Sequence, residues 1–380
     1  MAKREVIIKR NFYESLLDKN TDLLKKGSGK SIALLGHKKS GKTFLVREYQ
    51  KNVKGVIPVY IDFEKISLTP ENFSVEFAGN IIFGFLDRPL SDYKSFLSLD
   101  NLLKFHKALG DSYSSLTIIE NELLKIKPDQ KLLVKTAFDF AGLLGKNSGK
   151  KFLVALDNFE SVLELNNFSQ IKDVIPLVNF NDKNASFIVT SSAVKESLSL
   201  LKNIDCYEIK NLDKKETFEL IEKVTGKKDV DLLEKIFSFT NGHIYNTILI
   251  SRRYNEEKDV DKAFLKELLS KESLLYSQCK NSINYYYNRA RGQTLLKLIL
   301  KVVANSPLRL SEIARKIYRS APVTKSILER LIDVDIIHKK DNRFYFSDNV
   351  LRLWVKLTSM GYEFDDDVDD RIIEEVKKEL

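Results

Sequence analysis

Two kinds of hydrophobic pattern alternate along the chain. Short, nearly continuous apolar runs read as buried strands, and longer stretches with apolar residues every three or four positions read as helices. The runs Ser31–Leu35, Val56–Asp62, Lys151–Asp157, Ser186–Thr190 and Cys206–Ile209 are five candidate strands. A helix opens at Phe44–Tyr49, after the segment Gly36–Thr43 that follows the first strand, and residues 69–146 carry several more. Strands separated by helices predict an α/β fold with a parallel, doubly wound sheet, whose ligands bind beyond the carboxyl ends of the strands. Two of those ends are polar, at Asp157 and at Thr190-Ser191-Ser192.

From Lys214 to about Asn288 the pattern is helical throughout. A smaller module follows. Leu295–Leu300 forms a helix stopped at Asn305-Ser306-Pro307, and Ser311 is placed to cap a short helix with Ile313, Ala314 and Ile317 on one face. A turn through Pro322 opens a third helix on which Val323, Ile327 and Leu331 share a face. The short strands Ile336–His338 and Phe344–Phe346 flank a turn at Asp341-Asn342. That order spells a winged helix-turn-helix. The expected division is a core over 1–212, a helical segment over 213–290, the winged helix over 291–358 and an acidic tail over 359–380.

Composition narrows the class. With 43% hydrophobic and 30% charged residues, 15 Gly and 7 Pro, the chain is neither disordered nor low in complexity. No apolar stretch approaches a membrane span, and the first residues carry no signal-peptide core, so a cytoplasmic protein is expected. The two cysteines, Cys206 and Cys279, cannot build a disulfide framework or a four-ligand zinc site. The net charge of +9 suits a polyanion partner, and it is unevenly spread: Gly361–Leu380 holds nine acidic and three basic residues.

The candidate chemistry begins at Gly36-His37-Lys38-Lys39-Ser40-Gly41-Lys42-Thr43, which fits the phosphate-binding loop pattern between a strand and a helix. Amide groups of such a loop point at phosphates, and the following helix, entered through Phe44, adds its dipole. Lys42 is expected at the β- and γ-phosphates of ATP, and Thr43 at Mg²⁺. Asp157, at the tip of a distant apolar strand, is the second Mg²⁺ anchor. A hydrolase of this type usually carries Glu after that Asp, but here the position is Asn158, which can orient water and cannot accept its proton. Glu160 is the candidate substitute. No Arg occurs between Arg88 and Arg252, so the core lacks an arginine finger there, and tight nucleotide binding with slow hydrolysis is expected. His37 and His243 are further candidates to touch phosphate.

These motifs resemble the archaeal ATPase family within the signal-transduction (STAND) ATPases, relatives of AAA+ and origin-recognition proteins. The resemblance is carried by Ile7–Glu14, Gly36–Thr43, Leu156–Glu160, Thr190-Ser191-Ser192, Thr240-Asn241-Gly242-His243 and Tyr345–Trp354. It implies a P-loop NTPase sheet core, a helical lid and a winged helix, with ATP or ADP and Mg²⁺ bound between core and lid. It adds Arg10, Thr190 and His243 to the nucleotide contacts. The chain departs from the family at Asn158 and at Ile244, where the lid motif commonly has Pro. Its acidic tail is too short for the nuclease-like domain of many members.

Between Thr294 and Leu357 there are thirteen basic and six acidic residues. If the third helix enters a major groove, Thr324, Lys325, Ser326 and Arg330 face DNA, and Lys339, Lys340 and Arg343 reach it from the wing. The resulting expectation is an ATP-dependent switch on double-stranded DNA, in replication or maintenance of a mobile element, with a possible nucleotide-dependent homo-oligomer or protein partner. The alternative is a signalling ATPase scaffold whose winged helix docks protein.

Overall fold

The computed structural model describes residues 10–290, 293–365 and 370–380. Ile7, Ile8 and Lys9, which carry part of the family resemblance, lie outside them. The chain divides into two compact units: one holds described residues 10–37 and 41–209, and the other holds Lys210–Leu380 with Lys38–Ser40.

The first unit is built on strands β1 (Ile32–Leu35), β2 (Ile57–Asp62), β3 (Phe152–Asp157), β4 (Ala185–Ser191) and β5 (Asp205–Glu208). They form a parallel sheet in the order β2-β3-β4-β1-β5. All five strands match the apolar runs of the sequence. The alternation along each strand feeds two separate cores, because successive side chains leave opposite faces. Ile32, Leu34, Leu153, Ala155 and Ile188 pack on one face against helices α1 (Asn11–Lys25) and α2 (Lys42–Asn52). Ala33, Leu35, Val154, Leu156 and Val189 face the other core with helices α3 (Pro70–Leu86), α6 (Tyr113–Leu123) and α7 (Gln130–Ser148). Between α3 and α6 lie the single-turn helices α4 (Leu99–Leu102) and α5 (His106–Leu109), and α8 (Val194–Leu200) follows β4.

The phenylalanines of the second core, Phe73, Phe77 and Phe138, pack ring against ring at 5.1–5.3 Å between centroids. Each is almost fully buried, and burial of a side chain of that size stabilises the fold by about 1.5–3 kcal/mol. Buried polar groups are matched to backbone. Gln50 on α2 donates to the carbonyls of Val59 and Leu153, which ties the helix to β2 and β3.

In the second unit, helices α9 (Lys214–Thr225), α10 (Val230–Thr240), α11 (Ile244–Glu257), α12 (Val260–Leu269) and α13 (Leu274–Ala290) precede the small module. That module consists of α14 (Gln293–Asn305), β6 (Leu308–Arg309), α15 (Leu310–Lys316), α16 (Ala321–Asp333), β7 (Ile337–Lys340), β8 (Arg343–Phe346) and α17 (Asn349–Ser359). Its three-stranded antiparallel sheet runs β6-β8-β7, so β6 is a strand too short to show in the sequence pattern. The β7–β8 turn puts Asp341 and Asn342 at φ 48° and 58°, the left-handed pair of a two-residue hairpin. One apolar core spans the whole unit, from Phe264 on α12 to Leu331 on α16 and Trp354 on α17. Ser311 does not cap α15: the helix starts one residue earlier, at Leu310, with Arg309 at the cap position.

The acidic segment folds as well. Phe364 pairs with Ser270 as a β-bridge, and helix α18 (Asp370–Lys377) buries Ile373 and Val376. Asp365 pairs with Lys271 at 3.1 Å, Asp370 with Lys262 at 2.6 Å and Glu379 with Lys356 at 3.3 Å. Among the described residues no helix is long and apolar enough to cross a membrane.

Close packing makes one glycine decisive. A Cβ on Gly79 of α3 would lie 1.9 Å from the carbonyl oxygen of buried Phe96. Helix propensity alone favours Ala over Gly by about 1 kcal/mol, so the steric term sets the sign. Gly79→Ala is expected to lower stability by about 1–3 kcal/mol in urea denaturation, and a stabilised variant would contradict the contact.

Candidate functional site

The loop after β1 is shaped by its own backbone. Gly36 donates its amide to the carbonyl of Ser191 on β4 at 3.1 Å, which fixes where the chain leaves the sheet. Gly41 caps α2 at φ 95°, a left-handed conformation that glycine adopts without strain. Lys42 follows at the first helical position. Its side chain is buried, and Nζ donates to the carbonyls of Gly36 at 2.6 Å and His37 at 2.8 Å. Thr43 comes next, and Phe44 is partly exposed.

The strand tips meet this loop. Thr43 Oγ1 donates to Asp157 Oδ2 at 2.8 Å, across 114 positions of sequence. Thr190 on β4 donates to the other oxygen, Oδ1. Tyr60 on β2 adds a third hydroxyl, 2.5 Å from Oδ2. Tyr60 packs on the α1–α2 face with Ala155 and Ile188, and Asp157 and Thr190 lie two residues beyond those, so all three point to the side where α2 begins. Sequence reasoning identified Asp157 and Thr190 and missed Tyr60, whose signal was its alternation with Val59 and Ile61. Arg47 was missed as well; one turn beyond Thr43, it lies 4.1 Å over the Tyr60 ring.

Asn158 stands in the left-handed region at φ 54°, which Asn tolerates better than most residues. Its Nδ2 donates to Asp62 Oδ1 at 2.8 Å. Asp62 ends β2 in register with Asp157. The buried Glu160 carboxylate reaches the chain just beyond β4, where Oε1 accepts the Ser192 amide at 3.1 Å.

Arg10 precedes α1, with its guanidinium 5.9 Å over the Tyr13 ring. Lys38, Lys39 and Ser40 group with the second unit. There Lys38 Nζ lies 3.8 Å over the Tyr285 ring, and Lys39 Nζ lies 5.4 Å over Tyr245. His243 is the N-cap of α11: its Nδ1 accepts the Asn246 amide, and Nε2 donates to the Lys38 carbonyl at 3.1 Å.

In the small module Lys325 and Ser326 are exposed on α16, and Lys339 and Lys340 are exposed on β7. Thr324 is not available to a partner. It is fully buried and donates to the Ser320 carbonyl, because it falls on the core side of α16 with Ile327, Leu328 and Leu331. Arg330 donates to the Ala290 carbonyl and Arg343 to the Pro307 carbonyl, so each is partly engaged.

No family model and no curated protein matches the chain. Among solved structures, a Walker-type ATPase of Pyrococcus abyssi matches with TM-score 0.62 at 16% identity, over 93% of this chain and 97% of that one. The chain has the Walker-type ATPase fold. Looser matches include a Pyrococcus horikoshii STAND protein with a tetratricopeptide repeat sensor, at 15% identity and TM-score 0.38, over 94% of this chain and 43% of that one. The ORC2 protein of Aeropyrum pernix, in ADPNP–ADP complexes, matches at 13% identity and TM-score 0.38, over 95% and 97%. The fold assignment rests on the first of these.

Within this Walker-type fold the tyrosines near the loop are perturbed. Burial, then the hydrogen bond to Asp157 and that carboxylate's charge, push the Tyr60 phenol far above its ordinary value. Burial likewise pushes Tyr49 on α2 up to about 12. A phenol whose pKa is raised in the fold contributes stability that is complete below the unfolded pKa and is lost as pH rises. Stability should therefore decline from about pH 10 upward, as the unfolded chain ionises and the folded one does not. Tyr60→Phe removes one such group, so its urea midpoint should decline less steeply than that of the wild type across this range. Equal slopes would mean that Tyr60 ionises freely in the fold.

Proposed function

We propose that the chain is an ATP-binding, slowly hydrolysing switch whose small C-terminal module binds double-stranded DNA. The observation that carries the nucleotide reading is the meeting of Thr43 and Asp157 beside the Lys42 loop, 2.8 Å apart. A hydroxyl and a carboxylate so placed suit Mg²⁺, which keeps most of its waters and takes one or two protein ligands beside phosphate oxygens. Thr43 would hold the ion, and Asp157 would hold it directly or through water. The ion would neutralise charge on the β- and γ-phosphates.

The residues themselves do the rest. Lys42 exchanges its carbonyl partners for phosphate oxygens, and the amides of Gly41–Thr43 face the same ligand at the start of α2, while the Gly36 amide stays on the Ser191 carbonyl. Thr190 and Tyr60 hold the Asp157 carboxylate in one orientation. Asn158 orients water. Lys42→Ala should abolish binding of a fluorescent ATP analogue; wild-type affinity in that variant would reject the loop reading.

The DNA reading is supported by the basic excess of the small module and by exposed Lys325, Lys339 and Lys340 beside Ser326. Among the described residues Lys339 and Lys340 have no ion-pair partner. Nucleotide state would set DNA affinity or assembly, as replication initiation or maintenance of a mobile element requires. A second reading, protein docking, is favoured by the 87% exposure of Tyr318 and the 44% exposure of Val323, both near the start of α16.

Salt dependence separates the two. Each phosphate contact contributes about 0.9 to the slope of log affinity against log salt, so Lys339→Ala with Lys340→Ala should reduce it by about 2. Duplex retention that lacks salt dependence, or a slope unchanged in the double variant, would turn the assignment toward protein docking.

A further inference from the structure

Asn158 occupies the position where a carboxylate is expected, yet a carboxylate is in contact with it. Asp62 Oδ1 accepts the Asn158 amide at 2.8 Å. The same oxygen accepts the Glu64 backbone amide at 3.2 Å, and Oδ2 lies 3.2 Å from the Lys65 ammonium. The Asp62 side chain is only 11% exposed, whereas that of Lys65 is 69% exposed. The acid is therefore held by Asn158, by the turn and by a lysine that lies mostly in solvent.

Its placement is set by the sheet. Asp62 and Asp157 are register partners on the adjacent parallel strands β2 and β3, so their Cα atoms are about 4.8 Å apart. Partners in register face the same side of a sheet, and Asp62 shares its face with Tyr60, two residues before it. Tyr60 touches Asp157, and Asp157 touches Thr43. Asp62 thus stands at the carboxyl edge, on the face where α2 begins and next to the metal-anchoring carboxylate.

Asp157 and Glu160 hold donors as Asp62 does, but among the described residues the Asn158 amide bonds to no carboxylate except Asp62. Asp157 accepts three hydroxyls, and Glu160 accepts the Ser192 amide. We propose that Asp62 is the proton acceptor for the water that attacks ATP, with Asn158 holding that water; this rests on the nucleotide reading above. The two roles that one glutamate would fill are divided between an amide on β3's end and an acid on β2's end. In the step, a water O–H bond breaks as its proton moves to Asp62. The water oxygen bonds to the γ-phosphorus, and the bond from that phosphorus to the β,γ-bridging oxygen breaks, its electron pair leaving with ADP. The proton then passes from Asp62 to the released phosphate.

The test uses the full chain, fluorescent ATP-analogue affinity and single-turnover phosphate release. Asp62→Asn keeps the shape and can still accept from Asn158. It should bind nucleotide within about twofold of wild type and release phosphate about 10²-fold more slowly. The exchange variant Asp62→Asn with Asn158→Asp returns a carboxylate to the pair, at a left-handed position that Asp tolerates, and should recover turnover to within about tenfold of wild type. Wild-type turnover in Asp62→Asn would overturn the proposal alone. So would a slow Asp62→Asn that the exchange fails to rescue, since that pattern marks a purely structural acid. Wild-type protein that binds no nucleotide would instead overturn the nucleotide reading, and this proposal with it.

Discussion

The contact between the Thr43 hydroxyl and the Asp157 carboxylate joins the two ends of the site. It links the first turn of α2 to the tip of β3 across the strand that separates β3 from β1. A carboxylate that is 2% exposed must be satisfied by donors, or its desolvation would oppose folding. Three hydroxyls supply them, from β2, β4 and α2. The same set that makes the buried acid tolerable also fixes its direction. The geometry that the proposed divalent ion would need is thereby part of the fold itself.

Sheet parity explains which residues gather there. Residues 58, 60 and 62 alternate with Val59 and Ile61, and residues 155 and 157 alternate with Val154 and Leu156. A slip of one residue in the β2–β3 register would send Tyr60 and Asp62 into the phenylalanine-rich core, where neither could be satisfied. Register is thus enforced from both faces, by apolar burial on one and by polar pairing on the other. The aromatic core under α3 and the polar edge beside α2 are two outcomes of one alternation.

Much of this was legible in the sequence, for physical reasons. Continuous apolar runs announced all five strands, and the glycine spacing announced the loop, because only certain residues allow its backbone path. The hairpin turn at Asp341-Asn342 was legible because few residues adopt two left-handed conformations in succession. What stayed hidden depends on contacts made between distant segments. Tyr60 and Asp62 looked like ordinary strand residues until β2 paired with β3. Thr324 looked exposed because polarity was taken for solvation, whereas a threonine can bury itself by bonding to the carbonyl four residues back. The acidic C-terminal stretch concealed a helix, since its two inward residues, Ile373 and Val376, are outnumbered by acidic residues, of which Asp370 and Glu379 pair with lysines of α12 and α17.

Lys42 would give a phosphate-binding loop a selectivity of its own. With the ammonium gripped by two neutral oxygens of the same loop, an incoming molecule must outcompete those internal partners. Hydrogen bonds to ionised acceptors are roughly twice as strong as those to neutral ones, so the exchange favours species bearing several adjacent negative charges. Ligands with a single phosphoryl group offer fewer anionic oxygens and a weaker incentive for the side chain to let go. If the loop takes a nucleotide as proposed, discrimination by phosphate number would be built into the resting loop, ahead of any recognition of the base or sugar.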